Sequence, residues 1–316
     1  MKRIAFVKDN TKLWTVWAPI FEQKGYNVVL LNTFSKTDQD RLLTEHWDAF
    51  IWRAKHDPWI KNLAKRFLSF FDIQQKIKTF PSFHDYLHYD DKITQYYILK
   101  SKSIPTPETY IYFDKNEAFQ FLESANFPVV YKASSGSGSG NVGLIKSKLQ
   151  GKIFIQKAFG KGVKAFFREE PIHRYCYFQE FLRGNKGDYK IVCFGDRRIT
   201  GFIRIKGEEE KDLSLPRDKH YKYDIPIDLL EFVSSVHRKL GSLPVMSYDI
   251  LKNNEGEWVV TELGVIFGDI NNWHYYTDSK IYERNSEGIF TELEKSELSN
   301  DELFIELLLK KWGWVD

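Results

Sequence analysis

The sequence predicts an α/β (α+β) protein: a small open α/β lobe followed by two α+β segments. Three observations predict it. From Met1 to Pro81, short β-type runs alternate with helix-period segments, the pattern of a sheet wrapped by helices. Further on, strand-type runs follow one another with turn residues between them, which implies hairpins. The third is a glycine- and serine-rich stretch between two apolar β-type runs, the first of which carries a lysine. Divided by these signals, the chain has an N-terminal lobe at 1–82, a central segment at 83–172 and a C-terminal segment at 173–316.

In the first lobe, Ile4–Val7, Val28–Leu31 and Ala49–Trp52 read as strands, and Trp14–Lys24 as a helix stopped by Gly25. Asp90-Asp91-Lys92 opens a second helix, with Ile93, Tyr96 and Tyr97 on one face, and Ser103-Ile104-Pro105-Thr106-Pro107 ends it. Asp114 with Glu117 forms a capping box for a helix running through Leu122. Strands are expected at Tyr177–Leu182, Asp188–Phe194, Arg198–Ile205, Val245–Leu251 and Trp258–Leu263. A helix from Pro226 to Gly241 interrupts them, and Ser299 with Glu302 caps a C-terminal helix.

A chain of 316 residues can bury a sizeable core. Its net charge of +3, from 46 basic and 43 acidic residues, is too slight to argue for a nucleic-acid partner. Two cysteines, Cys176 and Cys193, make no disulfide framework and favour a reducing compartment. No apolar run approaches a membrane span, and Ile4–Val7 is too short for a signal-peptide core, so a cytoplasmic protein is expected.

The segment Val129-Val130-Tyr131-Lys132-Ala133-Ser134-Ser135-Gly136-Ser137-Gly138-Ser139-Gly140-Asn141-Val142 reads as strand, mobile loop, strand. Glycine lets backbone N–H groups approach a ligand closely, so with Lys132 beside it the loop is a candidate phosphate cradle. A flexible solvent hairpin is the alternative. Gly138-Ser139-Gly140-Asn141-Val142-Gly143 fits the dinucleotide fingerprint G-x-G-x-x-G, but a strand follows it where that motif needs a helix. A P-loop fails as well, because Lys132 precedes the glycines.

Asp249 and Glu262 flank the turn Asn253-Asn254-Glu255-Gly256, so a hairpin closing there sets them opposite or diagonally opposite each other. Two neighbouring carboxylates repel unless a cation sits between them, and Mg²⁺ suits a pair whose remaining ligands are waters and phosphates. Alternatively, lysine or arginine compensates them.

In chain order, Asp91-Lys92, Ile104-Pro105-Thr106-Pro107-Glu108-Thr109, Pro128-Val129-Val130-Tyr131-Lys132, the glycine loop, Gln179-Glu180-Phe181, Gly187-Asp188, Ile203-Arg204, Asp249 and Glu262 resemble the ATP-grasp superfamily. The resemblance is to the branch of glutathione synthetase and the ribosomal-protein glutamate ligases, and it covers residues 81–269. It implies two α+β subdomains gripping ATP behind a pre-grasp lobe. It also implies that Lys92 and Lys132 hold phosphates, under a flap containing Ser135, Gly136, Ser137 and Gly138. Gln179, Glu180, Phe181 and Leu182 correspond to the adenine hinge, and Asp188 to the acid facing ribose. Arg204 matches the arginine that steadies the transferring phosphate, with Lys190 where the branch often has arginine. Asp249 and Glu262 match the ligands of Mg²⁺, or of Mn²⁺ in its place. The family's metal motif usually ends Glu-x-Asn, whereas here it reads Glu262-Leu263-Gly264. Water, bidentate Glu262, Asp269 or Asn271 is left to fill that position, or a second metal is lost.

The implied activity is that of an ATP-dependent carboxylate–amine ligase, working through an acylphosphate and releasing ADP and phosphate. Small-molecule carboxylate and amine substrates are expected, with free amino acid, peptide, nucleotide, sugar and a macromolecular terminus all left open as the acceptor. A small-molecule kinase and a nucleotide-binding regulator without turnover are the alternatives. Trp273, His274, Tyr275, Tyr276 and Arg284 either line a substrate site or pack the tail, with packing the preferred reading.

Overall fold

The computed structural model describes residues 1–136, 141–205, 220–222 (backbone), 224–266, 279–293 and 298–316. Three sheets organise them. The first contains β1 (Arg3–Val7), β2 (Asn27–Leu31), β3 (Ala49–Ile51) and β4 (Lys78–Phe80) in the order 2-1-3-4, all parallel. Parallel neighbours need crossovers, supplied here by α1 (Trp14–Gln23), α2 (Lys36–Thr44) and α3 (Pro58–Leu68), the last running on into a π-helical turn at Ser69–Gln74. The short α4 (Phe83–Leu87) leads out of this lobe.

After α5 (Lys92–Ser101) comes an antiparallel sheet of β5 (Thr109–Tyr112), β6 (Val129–Lys132), β7 (Val142–Ile145) and β8 (Cys176–Glu180), in the order 5-8-6-7. The helices α6 (Lys115–Ser124) and α7 (Lys148–Ala158) cover one face, burying Leu122, Phe154 and Ile155 against Val129 and Phe178. At α6 only half of the expected capping box forms: Asp114 accepts from the N–H groups of Asn116 and Glu117. The division expected at 172/173 falls ahead of β8, which pairs with β5 and β6. By strand pairing, the central sheet therefore ends at Glu180.

The third sheet holds β9 (Gly187–Phe194), β10 (Arg198–Ile205), β11 (His220–Lys222), β12 (Met246–Lys252), β13 (Trp258–Gly264), β14 (Ile281–Arg284) and β15 (Phe290–Leu293). Its order is 13-12-9-10-14-15, with β11 paired to β10. One face is apolar: α8 (Ile227–Lys239) lays Leu229, Leu230, Val233 and Val236 into a core shared with Ile191, Tyr248 and Ile250. The last helix, α9 (Asn300–Trp312), opens with a complete Ser299–Glu302 capping box and ends at Gly313, whose φ of +68° suits a glycine. It packs Leu303, Phe304, Leu308 and Trp312 with Phe6, Trp17, Phe21 and Phe80 of the first lobe, and the indole N–H of Trp17 donates to Asp301 at 2.6 Å. Cys176 and Cys193 are both buried and unpaired. Among the described residues, no helix is long and apolar enough to cross a membrane.

Candidate active site

The site is assembled from the start of α5, the strand β6 and one face of the third sheet. Asp91 caps α5 by accepting from the N–H groups of Ile93 and Thr94 at 3.2 and 3.1 Å, which places Lys92 in the first turn. Lys92 is buried, and its main-chain N–H donates to Ser134 O at 2.8 Å, joining the helix start to the entrance of the glycine loop. Its Nζ donates to Gly136 O at 2.8 Å and lies 3.7 Å from Glu262 Oε1. Gln95, one turn along α5, fixes the helix to the edge strand β13. Its Oε1 accepts from Leu263 N at 3.0 Å, and its Nε2 donates to Leu263 O and to His88 O, each at 2.9 Å. An open sheet edge is thereby paired, and the helix carrying one lysine is registered against the strand carrying one acid.

Strand alternation puts Val130 and Lys132 on the face of β6 away from α7, since Tyr131 stacks on Phe154 at 4.6 Å. Burial, together with the like charge of Lys92, pushes the Lys132 ammonium down to about 8, and Glu262 and Asp249 oppose that fall. Lys132 thus feels the charges of Lys92, Glu262 and Asp249.

The base of the glycine loop is tightly held. Ala133 N donates to Asn141 O at 2.8 Å, Ser134 N to Tyr175 Oη at 2.8 Å, and Asn141 Nδ2 to Ser135 O at 2.6 Å. Gly136 has φ +94°, and a Cβ there would meet Asn141 Nδ2 at 1.8 Å, so no other residue fits without displacing that amide. Ser137 and Gly138 lie outside the described residues, as do Asp269, Asn271, Trp273, His274, Tyr275 and Tyr276.

On the third sheet, Lys190 pairs with Asp249, Asp188 with Arg204, and Asp249 with Glu262. Asp188 and Lys190 are two apart on β9, so these side chains share one face. Lys190 Nζ is 2.5 Å from Asp249 Oδ1, and Arg204 Nη2 donates to Asp249 Oδ2 at 3.2 Å and also to Asp188. Burial raises the Asp188 carboxyl, and Arg204 opposes the rise only in part. Burial acts the same way on Asp249, but Lys190 and Arg204 together outweigh it and hold that carboxyl below its ordinary range.

Glu262 reaches this face because of a β-bulge. The ladder runs Lys252–Trp258, Leu251–Val259 and Ile250–Val260, then shifts, so that Thr261 is the extra residue and Glu262 faces Asp249. Thr261 Oγ1 fastens the bulge by donating to Asp249 O at 3.0 Å. A regular ladder would place Thr261 opposite Asp249 and turn Glu262 toward the α8 core.

At the hinge, Gln179 is buried and spends its amide within the central sheet, donating to Thr109 Oγ1 at 2.7 Å. Glu180 exchanges bonds with Glu108: its main-chain N–H donates to Glu108 O, and its Oε1 accepts from Glu108 N, both at 2.9 Å. Phe181 lies under the Arg183 guanidinium at 5.5 Å. Leu182 lies two residues beyond the end of β8.

Two carboxylates on neighbouring strands, facing a region of lysines, fit a magnesium ion that completes its shell with phosphate and water. Among the described residues no group of three or more His, Cys, Asp or Glu side chains offers a protein-only cage. At Gly264, where the resembled motif has asparagine, a Cβ would meet Ser247 Oγ at 2.6 Å, and that hydroxyl donates to Gly264 O at 3.0 Å. A side chain at 264 would therefore have to displace the Ser247 hydroxyl.

Sequence reasoning missed Asp90, Lys61, Gln95, Asn141 and Tyr175. Asp90 adjoins the Asp91-Lys92 signal, but nothing local marks the others. Arg284 packs, as preferred: it donates to Gly288 O and Ser234 Oγ, each at 2.7 Å, and lies over Phe290. A groove of about 770 Å³ lies by Tyr110, Phe121 and Glu180, on the helix-covered side of the central sheet and apart from the lysines and acids. A second, of about 270 Å³, lies at the carboxyl ends of β1, β2 and β3, lined by Lys8, Asp9, Asn10, Asn32, Trp52 and Lys55 among others.

No protein-family model matches the chain. The alpha-aminoadipate–LysW ligase LysX of Saccharolobus solfataricus is 26% identical over 180 residues, covering 55% of this chain and 60% of that protein. The glutamate–LysW ligase ArgX of Sulfurisphaera tokodaii is 25% identical over 178 residues, covering 55% and 59%. The chain thus spans about three-fifths of the length of these curated relatives. Among solved structures, the D-alanine–D-alanine ligase of Bacillus anthracis superposes with a TM-score of 0.59 over 99% of both chains at 13% identity.

Proposed function

We propose that this chain, which carries the ATP-grasp fold, is an ATP-dependent carboxylate–amine ligase that releases ADP and phosphate. The observation that carries the reading is the meeting of Lys92, Lys132, Asp249 and Glu262 at one site, with Lys190 and Arg204 beside them. A carboxylate is a poor acyl donor because its leaving group is oxide, and ATP with Mg²⁺ supplies the phosphoryl group that turns it into an acylphosphate. Lys92 and Lys132 act as point charges on the phosphates. Asp249 and Glu262 would hold the metal. Arg204 and Lys190, already drawn toward Asp249, stabilise negative charge that develops near it. Leu182 N–H, with Glu180 and Phe181 around it, orients the purine.

The crevice at the ends of β1–β3 is the expected seat of an acid or amine substrate, since open parallel sheets bind ligands outside their carboxyl ends. Its two lysines suit a carboxylate. The named LysW ligases above suggest an acidic amino acid and a macromolecular acceptor as the first pair to examine. Two buried unpaired thiols fit a cytoplasmic setting. One observation favours a second reading, nucleotide binding without turnover: Lys190, Arg204 and Lys92 all lie within ion-pair distance of Asp249 or Glu262.

Turnover decides between them. Protein incubated with ATP, Mg²⁺ and a panel of amino acids and amines is expected to release ADP and phosphate in equal amounts when the right pair is present. A stable phosphorylated product without free phosphate would point to a kinase. Tight ATP binding indifferent to Mg²⁺ and to Asp249→Ala, with no turnover across the panel, would favour the regulator.

A further inference from the structure

We infer that Lys61 and Asp90 are positioning residues for the nucleotide site, through which the first lobe holds Gly136 and Lys92 in their phosphate-binding arrangement. The inference rests on the nucleotide-binding reading above and adds two residues that touch no proposed ligand. Asp90 is buried with φ +51°, a left-handed conformation uncommon for a residue with a side chain and kept only where the surroundings enforce it. What enforces it is visible. Asp90 Oδ1 accepts from Gly136 N at 2.7 Å and lies 4.0 Å from Lys92 Nζ, while Oδ2 accepts from Lys61 Nζ at 3.2 Å.

Gly136 is thus gripped at both of its main-chain polar groups: its N–H by Asp90, its carbonyl by Lys92. Moving Asp90 moves Gly136, and with it the acceptor that fixes the Lys92 ammonium. Lys61 belongs to α3 and is itself buried, and it reaches Glu170 Oε2 at 3.0 Å as well. Its neighbour on the helix, Ile60, lines the crevice at the ends of β1–β3. Four segments therefore meet on one lysine and one aspartate: α3, the approach to α5, the base of the glycine loop and the stretch around Glu170. Buried ion pairs of this kind contribute little net stability, because desolvation offsets their attraction, so the role inferred for this one is positional.

The test is calorimetric titration of Mg²⁺ and a non-hydrolysable ATP analogue into the intact chain and four variants: Lys61→Met, Lys61→Arg, Asp90→Asn and the Lys61→Met/Asp90→Asn double. Each of Lys61→Met and Asp90→Asn is expected to weaken binding about tenfold, and the double variant by less than the product of the two, since the pair acts as a unit. Lys61→Arg should recover most of the loss. Melting curves on the same samples separate altered binding from unfolding. Should either single variant not fold, Glu170→Gln carries the test, with an expected weakening of about threefold. Wild-type affinity in Lys61→Met, or in Glu170→Gln where that is needed, overturns the inference and leaves the proposed function standing. A wild-type chain that binds no nucleotide overturns both.

Discussion

Lys132 is the residue whose chemistry reports most directly on the site. Its ammonium titrates near 8 in the folded chain, against an ordinary value of 10.5, because burial and Lys92 disfavour the charge. A bound triphosphate favours the charge and must raise that value. Near pH 8 the free chain carries a partly neutral Lys132 and the complex a charged one, so binding takes up protons. The binding enthalpy at pH 8 is therefore expected to differ between buffers of high and low ionisation enthalpy, with the sign of net uptake, and the difference should vanish in Lys132→Met. Equal enthalpies in both buffers would contradict this uptake of protons by Lys132. The lysine itself was legible: one cation in an apolar β-type run before a glycine loop is unusual enough to single out. Lys61 was not, because a lysine on an amphipathic helix looks like any solvated one until Asp90 and Glu170 close over it.

Secondary structure was legible where local chemistry sets it. Caps, stops and turns placed α1, α5, α8, α9 and the β12–β13 hairpin, each within a residue or two. The strands that were missed, β4, β14 and β15 among them, are short, and long-range pairing supports them more than their own periodicity does, while the helices α2, α3 and α7 were missed as well. The bulge at Thr261 is the clearest case. The turn told that Asp249 and Glu262 are near each other, but only the slipped register decides that both face the lysines. The seam between α5 and β13 is where one side chain can be tested. Gln95→Leu leaves Leu263 N–H, Leu263 C=O and His88 C=O without their amide partner inside the protein. A stability loss of about 2 kcal/mol or more is expected in urea unfolding. The Michaelis constant for ATP should rise at the same time, because Lys92 and Glu262 lose their common register. A destabilised variant with an unchanged Michaelis constant would make the seam structural only.

Across the whole molecule, the first lobe is no appendage. The C-terminal helix α9 packs on it, Lys61 reaches out of it to Asp90, and its crevice opens at the ends of three parallel strands. The order of motifs predicts a nucleotide site between two α+β subdomains, but it does not tell which segments brace that site, since bracing is decided by contacts between residues far apart in sequence. Nor does it foretell that the Ser247 hydroxyl lies where a Cβ at 264 would point. The central claim is that Asp249 and Glu262 hold a divalent ion on a nucleotide that Lys92 and Lys132 also hold. Electron paramagnetic resonance with Mn²⁺ as the reporter tests it most directly. Adding protein to Mn²⁺ already mixed with ADP should reduce the free Mn²⁺ signal well below the level set by ADP alone, and Asp249→Asn or Glu262→Gln should abolish most of that further loss while the fold persists by circular dichroism. A signal that falls equally in the wild type and in both variants would contradict the account.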